Sequence, residues 1–234
     1  MQLTKQKGFT LVEIAIVLVI VGLLIGGVLK GQEMITNAKL KRIESDNAGL
    51  AAAMFSYQDR YLQLPGDDAG AGARFDVYSA AGGIAGLANG DGDGTIDGVW
   101  NLVAACAPPP AACAWIDGTA VAVVDETSKY FGHMRAAGLI PGGAGEDPTR
   151  PTNAYGGLMG IQNGSLLIAG HVIIFGQIEG AIARILEARL DDNSAQSGRI
   201  QSNESTDNVM VTGAALAAAV QYSEALRYDM AFRL

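Results

Sequence analysis

The chain has 234 residues, 49% of them hydrophobic and 17% charged, with a formal net charge of −8. That balance excludes intrinsic disorder, which needs few apolar residues and high net charge. It also argues against a nucleic-acid-binding surface, which is normally basic. The length accommodates one anchoring helix and one globular head of about 170–190 residues, ample for a core.

The first element follows Lys7-Gly8-Phe9-Thr10-Leu11-Val12-Glu13 and continues as an apolar run to Leu29, in which Glu13 is the only charged residue. About 20 apolar residues at roughly 1.5 Å per residue span a hydrocarbon core roughly 30 Å thick. The run has no proline, and within lipid its backbone groups must pair inside the segment, so a continuous helix is expected. Glu13 is anomalous, because an acid in such a segment is costly and rarely left without a partner. Two readings stand: an interfacial carboxylate reaching head groups, or one that meets a cation on another copy of the chain. An N-terminal amine made by cleavage just upstream would be such a cation. Gly22, Gly26, Gly27 and Gly31 soften the upper half, and glycine costs up to about 1 kcal/mol against alanine in a helix interior. Gly22 and Gly26 have the small-xxx-small spacing that lets membrane helices approach closely; local unwinding is the other reason for them.

From Gln32 to Leu62 the apolar period is helical. Ile43, Leu50, Met54, Tyr57 and Tyr61 share a face, with Lys39, Lys41, Glu44 and Asp46 elsewhere. This predicts the solvent-side half of the same helix, its stripe laid on a sheet. Leu64-Pro65-Gly66-Asp67-Asp68 is a stop signal.

Residues 66–120 are loop-rich. Asn89, Asp91, Asp93, the Thr95 carbonyl and Asp97 place oxygen donors at alternate positions around Gly94. This is the pattern of the first nine positions of an EF-hand-type calcium loop. The twelfth position holds Trp100 in place of a bidentate glutamate, so the remaining ligand would come from elsewhere, Asp117 or Asp125. The plain alternative is a solvated Asp/Gly turn.

The remainder alternates short helices and strands. A helix is expected over 125–137, with Tyr130, Phe131 and Met134 as its apolar side. A strand region is expected over 165–178 and a helix over 181–190. Asp191-Asp192 after that helix reads as a solvated cap. Tyr228, Met230, Phe232 and Leu234 alternate with Asp229, Ala231 and Arg233, which predicts a half-buried final strand. His133 and His171 lie in different segments, and His171 sits in an apolar run as a hydrogen-bonded core residue would. No nucleophile elbow, phosphate loop or metalloprotease motif is present, so an enzyme reading has little support.

The N-terminal segment Lys7-Gly8 followed by Phe9-Thr10-Leu11-Val12-Glu13 and a long apolar helix resembles that of type IV pilins and of the related pseudopilins of type II secretion. The resemblance covers roughly residues 5–40. It implies cleavage by a prepilin peptidase between Gly8 and Phe9, N-methylation of Phe9, and the family's acidic position at Glu13. The apolar segment is then retained, unlike that of an ordinary secretory signal. Loss of Lys5 and Lys7 with the leader takes the net charge from −8 to −10. Family members often carry a proline in the upper part of this helix, and this chain has none. Tyr61–Asp68 resembles the "LPGD" segment of one branch of large pilin-like proteins, and Asp191-Asp192-Asn193 with Gly198-Arg199-Ile200 resembles a "D-D-G…G-x-I" segment of the same branch.

The resemblance implies an α+β fold, with a long N-terminal helix packed on an antiparallel sheet head that carries loop insertions. It divides the chain into leader 1–8, anchor helix 9–31, amphipathic continuation 32–64 and head 65–234. Its implied function is a structural subunit of a type IV pilus or related filament, assembled through Phe9 and Glu13. The alternatives are a pseudopilin, or an anchored extracytoplasmic binding domain that never polymerises. Partners would be copies of itself, other pilins, the peptidase and inner-membrane assembly machinery, with no nucleic acid. The location would be the inner membrane, then an extracellular filament. Lys30, Lys39, Lys41 and Arg42 after the apolar run oppose the usual positive-inside orientation, so the outward head rests on the resemblance. Export would place Cys106 and Cys113 in an oxidising compartment, where they are expected to pair. Closing so short a loop contributes roughly 2–3 kcal/mol in the chain-entropy model. Many pilins instead place a disulfide near the C-terminus, where this chain has no cysteine.

Overall fold

The computed structural model describes residues 10–75, 89–98, 100, 126–142, 150–205 and 222–234. The chain divides into two compact units, Met1–Lys41 and Arg42–Leu234.

The first described element is helix α1, Leu11–Tyr61. Within Arg42–Leu234 its apolar stripe is buried as the period requires: Ile43, Leu50, Met54 and Tyr57 are all inaccessible or nearly so. The described contacts of this stripe reach helix α3, Glu126–Ala136, where the Tyr57 ring stacks on His133 at 6.4 Å. Arg60 also donates to the Ala137 carbonyl at 3.3 Å. The helix ends one residue before Leu62, where the helical period was expected to stop, because Leu62 turns left-handed at φ 56°. A single turn, α2 (Ala71–Arg74), follows the Pro65-Gly66 break.

The head has a four-stranded antiparallel sheet of β1 (Met159–Ser165), β2 (Ile168–Glu179), β3 (Ile200–Glu204) and β4 (Arg227–Arg233), in spatial order β1-β2-β4-β3. Helix α4, Gly180–Leu190, follows β2 directly. Together with α1 this is the expected α+β arrangement.

Two expectations are corrected. The apolar run from Ser165 is not one strand. Leu166 and Leu167 form the turn of a β1–β2 hairpin, with Leu166 at φ 55° and Ser165 paired to Ile168. Gly164 at φ 69° marks the break in register just before it. The final strand is not half-buried either: Asp229 and Ala231 are as inaccessible as Tyr228 and Met230.

The reason is that both faces of the sheet are covered. Along β2, Val172, Ile173, Ile174 and Phe175 are all buried, although successive side chains point to opposite faces. On one face Val172, Ile174 and Ala231 join Ile168 around Trp100. On the other, Phe175 meets Phe232 edge-on at 5.3 Å, a diagonal pair across the β2–β4 ladder. Burying an indole and these branched side chains stabilises the head by roughly 1.5–3 kcal/mol per side chain.

Candidate functional site

The N-terminal segment is built by composition and by its cap. Every described residue from Thr10 to Lys30 is exposed, and Leu11, Leu18 and Leu23 each leave two thirds or more of their surface uncovered. The helix is long and apolar enough to cross a membrane. A methyl group added at Gly22, Gly26, Gly27 or Gly31 would meet nothing within 4 Å. The chain's own packing therefore gives no reason for four residues that weaken a helix.

At the start of α1, the Thr10 N–H and hydroxyl donate to Glu13 Oε2 at 2.7 and 2.8 Å. The Glu13 N–H returns a bond to Thr10 Oγ1 at 3.3 Å. This is a reciprocal capping box, Thr-x-x-Glu, which satisfies donors that the first helical turn leaves open. The signal stands in the sequence as Thr10-Leu11-Val12-Glu13, the Thr-x-x-Glu spacing that precedes an apolar run. Gly8 and Phe9 lie outside the described residues.

Residues 3–29 match the family model of the prokaryotic N-terminal methylation motif. That motif marks a type IV pilin-like protein. It implies processing by a prepilin peptidase and points to a structural role, and with the apolar helix it indicates membrane anchoring before assembly. Comparison with curated proteins and with solved structures gives no match.

The head of this pilin-like chain carries a second constellation, the loop at 89–98. Carboxylate oxygens of Asp91, Asp93 and Asp97 come within 4.8 Å of one another, all three side chains exposed. The Thr95 N–H and hydroxyl each donate to Asp93 Oδ1 at 2.7 Å, and the hydroxyl also reaches Asp97 Oδ1 at 3.2 Å. These bonds hold the Asp93 carboxyl below the usual range. Asn89 Oδ1 already accepts the Gly72 N–H at 2.8 Å. Trp100 is fully buried, and its backbone N–H donates to Gln162 Oε1 at 3.1 Å, so that position serves the core. Asp117 and Asp125, the expected sources of a further ligand, and the cysteines Cys106 and Cys113 lie outside the described residues.

Two acids the sequence reading did not assign hold this loop. Asp67 Oδ1 accepts the N–H groups of Gly92 and Asp93 at 2.6 and 3.1 Å, and Oδ2 accepts that of Gly94 at 2.8 Å. Glu126, at the start of α3, accepts from Asp91 and Asp97 at 2.9 and 3.0 Å. Oxygens of Asp67, Asp91 and Glu126 also cluster within 4.8 Å. Burial raises the carboxyls of Asp67 and Glu126 above their ordinary range, opposed by the same N–H bonds. Ile96, fully buried, donates its N–H to His171 Nε2 at 3.2 Å; that histidine is hydrogen-bonded as expected, but half-buried and not in the core.

The "LPGD" segment is thus more than a helix stop. Gly66 stands at φ 96°, with Glu126 backbone where a side chain would be, and its N–H donates to His133 Nδ1 at 2.9 Å. Asp68 accepts the Tyr57 hydroxyl at 2.6 Å and pairs with Arg74. Gly66, Asp67 and Asp68 therefore join the end of α1, the 89–98 loop and α3.

Proposed function

We propose that this chain is a structural subunit of a type IV pilus or a related filament. The reading rests on one observation: an exposed apolar helical segment carries four glycines that its own packing does not explain, and an acid whose charge its cap on Thr10 does not require. A bundle of such helices explains them together. Small residues permit close approach, and exposed leucine and isoleucine bury against neighbouring copies. In the filament core Glu13 meets the N-methylated amine of a neighbouring Phe9. A pseudopilin of a secretion filament uses the same physics. An anchor that never polymerises gains the cap from Glu13 but nothing from its charge or from the glycines.

The test is processing and assembly in the native host. Intact-mass measurement is expected to show loss of Met1–Gly8 and gain of one methyl on Phe9, with the mature chain present in sheared filaments. A chain that keeps its leader, or one cut after Leu29, overturns the reading. A processed chain absent from every filament leaves the anchored-domain alternative.

A further inference from the structure

The connection from α4 to β3 gathers three acids at the wrong end of a helix. Glu187, in the last turn of α4, is fully buried. The Tyr222 hydroxyl donates to its Oε2 at 3.2 Å, whereas its Oε1 is buried with no hydrogen-bond donor among the described residues. Asp191 caps the helix and Asp192 follows it. One carboxylate oxygen from each of Glu187, Asp191 and Asp192 lies within 4.8 Å of the others. The C-terminal end of a helix carries partial negative charge, which favours cations and disfavours acids. The basic residue of that turn, Arg189, pairs with Glu44 at 3.6 Å. Among the described ion pairs none includes Glu187, Asp191 or Asp192.

We propose that Glu187, Asp191 and Asp192 bind a divalent cation of calcium's size. Oxygens bound to one calcium at about 2.3–2.6 Å stand at most about 5 Å apart, and the three oxygens here all lie within 4.8 Å of one another. Magnesium demands near-ideal octahedral geometry at about 2.1 Å and gives up its waters reluctantly, which suits a flexible loop less well. The buried Oε1 of Glu187 is the ligand with no other partner. A buried carboxylate oxygen left that way is costly, and a cation at the mouth of the cluster removes the cost.

The aspartates are held for this by bonds to their own loop. Asp191 Oδ2 accepts the Ile200 N–H at 2.6 Å. Asp192 accepts the Ser194 N–H at 2.9 Å and the Ser197 hydroxyl at 2.6 Å. Such outer contacts orient the carboxylates, which keep lone pairs for an ion. Gly198, at φ 82°, lets the loop close on Asp191, whose carboxylate occupies the space a side chain would need. The solvated cap expected for Asp191-Asp192 is therefore an organised loop around a buried acid. It shares no residue with the 89–98 loop.

Terbium is the probe, on the full chain in detergent micelles carrying Asp91→Asn and Asp93→Asn to silence the other loop. Tyr222, whose hydroxyl touches Glu187, sensitises terbium emission when tyrosine is excited. Saturable emission that calcium competes away is expected, with affinity falling at least tenfold in Asp192→Asn. Asp192 is exposed, so that variant keeps the fold, which circular dichroism checks. Absence of sensitised emission at millimolar terbium overturns the proposal and leaves Glu187 a protonated buried acid. Equal affinity with and without Asp192→Asn overturns it as well.

Discussion

The Asp67 carboxylate accepts the Gly94 N–H at 2.8 Å, across 27 residues of sequence. Asp67 directly follows the Pro65-Gly66 break that ends the long helix, and Gly94 is the centre of the acidic loop. Because the same carboxylate also takes the N–H groups of Gly92 and Asp93, it fills the concave backbone of the loop as an anion would. Glu126 secures the two flanks. The shape of the loop is thereby set by acids outside it, which leaves Asp91, Asp93 and Asp97 facing solvent.

Removing Asp67 is accordingly expected to cost more than a surface change. Asp67→Ala leaves the Gly92 and Gly94 N–H groups without an acceptor and the Asp93 N–H with Asp91 Oδ1 alone, and hydrogen bonds to charged groups contribute about 1.5–3 kcal/mol each, not additively. A loss of about 3 kcal/mol is expected, lowering the melting temperature by roughly 6–12 °C for a head of this size. Asp67→Asn keeps an acceptor and is expected to lose about half as much. Thermal unfolding followed by near-UV circular dichroism measures both. A change below about 0.5 kcal/mol for Asp67→Ala, the range of ordinary surface substitutions, would show that the loop does not depend on this grip.

Much of this was legible in the residues, and the failures have physical causes. The buried stripe of α1 follows from helical period, and α3 and α4 from theirs. Strand β1 escaped notice because Met159-Gly160-Ile161-Gln162-Asn163-Gly164 has no alternation; its burial depends on Trp100, packed over Gly160. The Leu166-Leu167 turn carries no proline or glycine to announce it. Asp229 was assigned to solvent because two-sided burial of β4 depends on what other segments lay against it. In the 89–98 loop the spacing of the aspartates was visible. Its clamps were not, since Asp67 and Glu126 come from outside the repeat.

His171 supplies a pH dependence. Burial lowers its pKa, partly opposed by Asp67, and Nε2 must stay unprotonated to accept the Ile96 N–H. Above the unfolded value of about 6.5 both states are neutral and the full stability is present. As pH falls below that value, the unfolded chain takes up a proton that the folded chain resists, so stability declines. His171→Gln, which keeps an acceptor, is expected to flatten the stability profile between about pH 7 and pH 5.5, above the ordinary carboxylate range. Identical slopes for the two proteins would remove His171 as the cause.

The capping box gives Glu13 two separable tasks. Glu13→Ala loses the cap, worth about 0.5–2 kcal/mol, as well as the charge. Glu13→Gln keeps an acceptor for Thr10 and loses only the charge. If assembly depends on neutralising the Phe9 amine of a neighbour, both variants remain in the membrane and both fail to enter filaments. The ratio of membrane pool to sheared filament measures this. Restored assembly in Glu13→Gln would assign the residue to helix capping alone.

Calcium at Asp91, Asp93 and Asp97 is the remaining prediction. Three exposed carboxylates within 4.8 Å repel one another, and a divalent cation would remove that repulsion while leaving Asp67 and Glu126 on the backbone. With no acid at Trp100 the affinity is expected in the range of extracellular modules, roughly 10⁻⁴–10⁻³ M. An ion that binds only the folded chain at 100 times its dissociation constant stabilises it by about 2.7 kcal/mol. The full chain in micelles is therefore expected to melt higher in tens of millimolar calcium than in chelator. The comparison is made in an Asp191→Asn/Asp192→Asn background, so that the cluster beside α4 does not contribute. Adding Asp91→Asn and Asp93→Asn should abolish the shift, and magnesium should reproduce it poorly, because it gives up its waters reluctantly. A shift that survives those two substitutions would place the ion elsewhere. No shift at all would leave the loop an acidic turn held by Asp67 and Glu126.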